Sequence, residues 1–309
     1  MVQRALIADL RVCGRVASCC RIGERRGCDL FARVSDYFKI VQPSFQRTEG
    51  QRVAAGLTSD QSRERLRPFP VHHPFDRHFV LFFVIVCWLG VIMGFMPAVT
   101  KRFTGQADYP ASWILQVHVF AFTGWLLLLT LQATLVRIRR VGLHRTFGLV
   151  AILLIPVMAT TAILSEVYSQ RYYFDHPPNS LAFFIIPIGN IVAFTFFASA
   201  ALWCRKDSNA HKRLMLLATI VIVGAAFSRW WGEGLTQAVG DGFWGTIVTN
   251  YAGTNLLLAS VVIYDFLTRK IIHPTYSLSL PAVLVGELAI SWIYHSPEWP
   301  SVAQALIGR

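Results

Sequence analysis

The chain has 309 residues, 54% of them hydrophobic and only 15% charged, with a mean hydropathy of +0.47 and a formal charge of +12. A soluble domain carries nearer a quarter of its residues as charges, and apolar blocks of about 18–25 residues are long enough to cross a hydrocarbon layer of roughly 30 Å. These proportions exclude an ordinary soluble domain, and the unbroken apolar blocks exclude a β-barrel, whose strands alternate apolar and polar residues.

Residues 1–72 form a basic extension unlike the rest of the chain. Counted through Arg77 and Asp76, the head holds fourteen Lys/Arg and eight Asp/Glu. The short run Asp36–Val41 is its main apolar patch. Two readings stay open: a disordered cytoplasmic tail, and translated sequence upstream of a natural start between Val53 and Val71. A transit peptide fits less well, because acidic residues interrupt the head and no apolar core follows the N-terminus. Cys13, Cys19, Cys20 and Cys28 match no standard zinc spacing, and with Cys87 and Cys204 they imply no disulfide framework.

Residues 73–309 read as an all-α, polytopic transmembrane helical bundle of about seven spans. The predicted spans are His78–Ala98, Ser112–Val136, Arg145–Val167, Ser180–Cys204, Lys212–Trp230, Asn250–Thr268 and Leu278–His295. Pro156 and Pro187 are predicted to kink the third and fourth. The last span is interrupted by Glu287 and is also open to a re-entrant reading.

The short connections set the orientation. One side carries ten basic residues: Arg137, Arg139, Arg140, Arg145, Arg205, Lys206, Lys212, Arg213, Arg269 and Lys270. The other carries five: Lys101, Arg102, Arg171, Arg229 and Arg309. The positive-inside rule makes the first side cytoplasmic, with the N-terminus inside and the C-terminus outside. Aromatic residues on the second side, among them Tyr168, Tyr172, Trp231 and Trp244, read as interface anchors. The interleaved basic and aromatic runs of a nucleic-acid binder are absent, so the expected partner is the lipid bilayer and not nucleic acid.

A weak internal repeat opens the third and fifth spans. His144-Arg145-Thr146-Phe147-Gly148 and His211-Lys212-Arg213-Leu214-Met215 both enter apolar sequence behind a short basic connection. HPFDRH at His73–His78, LHRTFG at Leu143–Gly148, AHKRLMLLAT at Ala210–Thr219, YDFLTRKIIHPTY at Tyr264–Tyr276 and SWIYHSPEW at Ser291–Trp299 together resemble a family of uncharacterised bacterial polytopic inner-membrane proteins. That likeness covers Val71 to Arg309, implies the bacterial cytoplasmic membrane, and brings no activity with it. A more distant likeness, through HR-x-x-G, is to b-type cytochrome bundles, in which histidine pairs on neighbouring helices hold haem.

The histidines fall in two layers. His118 and His295 lie toward the outer side, His144 and His211 at the inner ends of the third and fifth spans. Each pair meets the depth condition for bis-histidine haem b. The alternative for His144 and His211 is ordinary snorkelling of a basic span end. His118, Trp125 and Gln132 recur every seven residues and are predicted to share the face turned into the bundle. Arg229 and Glu233, with Asn190, Asn250, Asn255 and His118, are predicted to line an outward-facing polar pocket. Asp265 and Arg269 are spaced for an i, i+4 ion pair, with Arg145 or Arg213 as alternative partners of Asp265. Glu287 sits mid-span, where a carboxyl is protonated or paired.

No phosphate-binding loop, HExxH or GxSxG motif is present. Three functions remain: a b-haem or quinone-linked electron carrier, a small-molecule or proton-coupled transporter on Glu287 and Asp265, and a structural or accessory membrane protein.

Overall fold

Apolar length decides the architecture. The computed structural model describes residues 73–176 and 181–309, so the basic extension and its four cysteines lie outside the described residues. In chain order the helices are α1 (Asp76–Phe103), α2 (Trp113–Arg137), α3 (Val141–Gly148) and α4 (Val150–Phe174). A 3₁₀ turn at Leu181–Phe184 leads into α5 (Ile185–Trp203), followed by α6 (Ser208–Val239), α7 (Phe243–Arg269), α8 (Pro274–Tyr294) and α9 (Trp299–Ile307). Seven of these segments are long and apolar enough to cross a membrane, α3 and α4 together making one of them. The described residues contain no strand. The chain is an all-α, multi-pass membrane bundle.

The ends follow local chemistry. The Ser112 hydroxyl accepts from the Leu115 amide to start α2. Asp207 accepts from the amides of Asn209 and Ala210 to start α6. His273 accepts from the Thr275 amide to start α8, with Pro274 in the first turn, where its missing N–H costs nothing.

Three features differ from the sequence expectation. The third span is two helices, broken at Leu149, so His144 and Arg145 ride on the separate segment α3. Pro187 lies in the first turn of α5 and not in its interior, because the 3₁₀ turn takes up the residues before it. After the last span the chain adds α9, whose Trp299, Ala303 and Ile307 pack on Ala182 and Phe184 of the 3₁₀ turn. Its other face leaves Val302 and Leu306 exposed, the pattern of a helix lying in the membrane interface.

The most buried span is α6. It packs against α1, α5, α7 and α8. Small residues let it do so: a Cβ on Gly94 of α1 would overlap the backbone carbonyl of Ala226, and one on Gly224 of α6 would overlap the Thr254 hydroxyl of α7. Without a hydrophobic drive between helices in lipid, close approach at small residues is what holds such helices together.

Candidate functional site

One end of the bundle collects the starts of α1, α3, α6 and α8 and the ends of α2, α5 and α7. It carries the larger set of ten basic residues and is called the basic end. At its centre Arg213 donates to both oxygens of Asp265, from Nε and Nη2, each at 2.7 Å. The two side chains are 2% and 3% exposed. Arg269 reaches the same carboxylate at 3.3 Å. It also donates to both oxygens of Asp76 at 2.8 Å. Asp76 further accepts from Lys212 at 3.0 Å and from the Tyr264 hydroxyl at 2.6 Å. Asn209 accepts from Arg213, and the Tyr276 ring lies 5.7 Å from its guanidinium carbon. The network therefore joins α1, α6, α7 and α8. Of the partners expected for Asp265, the structure selects Arg213 and Arg269.

Beside this network stand the two histidines of the repeat. The rings of His144 on α3 and His211 on α6 lie 6.3 Å apart between centroids and nearly perpendicular. His211 Nδ1 is 2.8 Å from the Ala201 carbonyl. A carbonyl only accepts, so Nδ1 carries the proton, and Nε2 of the neutral ring keeps a lone pair. His144 Nδ1 and both amide atoms of Gln132 are buried without a hydrogen-bond partner among the described residues. No residue of α3 is buried. Three unpartnered polar atoms thus lie together under a helix with no buried residue.

The outer histidines have separate neighbours. No ring contact joins His118 and His295 among the described residues. His118 packs on Phe122 and lies within electrostatic range of Arg229. His295 is exposed, with Nε2 bonded at 3.0 Å to Thr246.

The expected polar pocket separates into groups for the same reason, that its members face different neighbours. Arg229 lies over the Phe95 ring at 5.0 Å and within electrostatic range of Glu166. Asn250 bonds its own helix at Thr246. Asn255 donates to Glu287 Oε2 at 2.9 Å. Glu287 is 5% exposed, and its Oε1 and the nearby Tyr251 hydroxyl have no partner among the described residues. Trp125, between His118 and Gln132 on α2, is buried and donates to Thr219 at 3.1 Å.

Sequence reasoning placed Asp76, Lys212, Tyr264 and Glu166 in no site or ion pair. The signal for the first three was present: they belong to the HPFDRH, AHKRLM and YDFLTRK segments, which meet at the basic end. Glu166 was legible only as a carboxyl near the end of an apolar block. No family model, curated protein or solved structure matches the chain.

Two outcomes test the network. Asp265→Asn leaves Arg213 buried without its anion and is expected to cost about 3–5 kcal/mol. The double change Arg213→Met with Asp265→Leu should recover most of that loss; denaturant unfolding in detergent measures both. Equal losses in the single and double variants would remove the ion pair as the cause.

His273 provides the second outcome. Burial, helped by the Arg213 charge, pushes its imidazole from 6.5 down to about 4. Lys212 opposes protonation in the same way, while Asp207 and Asp265 favour it. The cap needs Nδ1 unprotonated to accept from Thr275. Stability from the neutral ring is full above pH 6.5 and lost as pH falls from 6.5 toward 4, at up to about 1.4 kcal/mol per pH unit. Thermal unfolding of the native chain and of His273→Asn, compared between about pH 7.5 and about pH 4.5 to span most of that window, should show the native chain losing more. Parallel curves would refute the assignment.

Proposed function

We propose that this multi-pass membrane protein is an electron carrier that holds a b-type haem between His144 and His211. The observation that carries the reading is the juxtaposition of two imidazoles from different helices, 6.3 Å apart between centroids. Two metal–nitrogen bonds of about 2 Å each, with the ring radii on either side, span roughly that distance. The bond from His211 Nδ1 to the Ala201 carbonyl supports it further, since a metal-ligating histidine commonly donates its other nitrogen in this way. The unpartnered Gln132 amide and the thin packing of α3 favour a bound group. The HR-x-x-G likeness to b-type cytochrome modules at His144 points the same way. When bound, haem supplies one-electron chemistry whose potential its ligands and their hydrogen bonds tune. The chain's own residues orient the rings and keep His211 in one tautomer. The reading is one haem near one face of the membrane.

Absorbance spectra test it. Protein purified in detergent after haem-replete expression should show a Soret band that shifts on reduction. His144→Ala and His211→Ala should each lower haem retention at least about tenfold, while His118→Ala and His295→Ala retain it. Native protein without a Soret band, or retention in His211→Ala, would sink the reading.

A proton-coupled carrier is the second reading, favoured by the unpartnered Glu287 Oε1 and Tyr251 hydroxyl. Glu287→Gln separates the two: it keeps the Soret band under the first reading and abolishes proton-linked flux under the second.

The location we infer is a bacterial cytoplasmic membrane with the basic end inside, on the ten-to-five bias of basic residues. A reporter that works only outside the membrane, fused after Arg309, should be active there; activity only for a cytoplasmic reporter would reverse the orientation.

A further inference from the structure

A lipid-facing groove runs between α4 and α5 at the basic end, with a volume of about 670 Å³. Its walls are Ile152 and Pro156 on one side and Leu202 and Trp203 on the other, and Arg205 and Lys206 close it at the membrane surface. The space has a local cause. Pro156 has no backbone N–H to bond the preceding turn, and Ala159 and Ser199 are too small to fill the gap between the helices. From Thr195 to Trp203 the groove follows α5 for roughly 12 Å, most of the hydrocarbon depth of one leaflet.

The charges at its mouth have no counter-charge among the described residues. Arg205 and Lys206 are exposed, and neither forms an ion pair among the described residues. The adjacent carboxylate, Asp207, is engaged at the start of α6, accepting from Asn209 at 2.9 Å and from Ala210 at 3.3 Å. Two cations at interface depth above an apolar channel spanning most of a leaflet are the complement of an amphiphile with an anionic head. We propose that the groove binds one anionic phospholipid, with its phosphate on Arg205 and Lys206 and one acyl chain between α4 and α5. A zwitterionic lipid would fill the channel equally well but brings no net charge to the mouth. The proposal is independent of haem binding.

Native mass spectrometry of the full chain in neutral detergent tests it, with phosphatidylglycerol and phosphatidylcholine as probes. One phosphatidylglycerol per chain should be retained, favoured over phosphatidylcholine by about tenfold or more, as expected for two basic residues near the surface. The double variant Arg205→Gln, Lys206→Gln should bring the two lipids within about twofold of each other. Ala159→Phe, which fills the channel, should lower retention of both. Preference for phosphatidylglycerol persisting in the double variant would overturn the proposal, as would equal retention of the two lipids by the native chain. Thermal stabilisation by inorganic phosphate alone, matching that by phosphatidylglycerol, would assign the cations to a free anion and also overturn it. If Ala159→Phe does not fold, the double variant decides, because both of its side chains are exposed.

Discussion

Arg213 donates two hydrogen bonds of 2.7 Å to Asp265 where both side chains are almost fully buried, and the basic end takes its arrangement from that fork. A buried guanidinium tolerates little misalignment, because a lost partner leaves a charge stranded in low dielectric. The fork therefore sets the rotation of α6 against α7. Successive residues on a helix point about 100° apart. Once Arg213 faces Asp265 on α7, Lys212 turns to Asp76 on α1 and His211 to Ala201 on α5. Three consecutive side chains thus serve three neighbours. The position of the His211 ring beside His144 is a consequence of an ion pair two residues away.

The seven spans were legible because hydrocarbon thickness leaves a plain mark on a sequence. Their ends were less so. Helices continue past the apolar window into the interface, where composition no longer distinguishes them: α6 begins at Ser208 and runs to Val239, against an expected Lys212–Trp230. The break at Leu149 left no mark either, since Val141–Gly148 and the residues after it are all compatible with one helix. Helix α9 was readable in principle. Trp299, Ala303 and Ile307 recur at four-residue spacing, but the run is too short for a span and falls below a search tuned to membrane length.

The site was half legible. The echo of His144-Arg145 in His211-Lys212-Arg213 brought attention to the two rings that meet. The matching of His118 with His295 by depth alone did not bring them into ring contact, because depth says nothing of which helices are neighbours. Asp265 and Arg269 were paired by spacing. Asp76 was not, since its partners Lys212 and Arg269 lie 136 and 193 residues away, and no local pattern signals contact over such separations. Gln132 carried a different kind of information. Its amide reads in the sequence as a polar group on an inward face, and only the absence of a partner for both of its ends distinguishes it from an ordinary interhelical bond.

Helix α6 has 32 residues and is therefore about 48 Å long, against a hydrocarbon layer of roughly 30 Å. Spans tilt by at most about 40°, which does not absorb the difference. Its second turn is held at the basic end by Lys212 and Arg213, so the excess length emerges on the opposite face. There α6 turns at Gly240 into α7, and Trp230 and Trp231 mark where aromatic rings would settle at the headgroups. The pair α6–α7 thus joins the charge network at one end of the bundle to the Gly240 turn at the other.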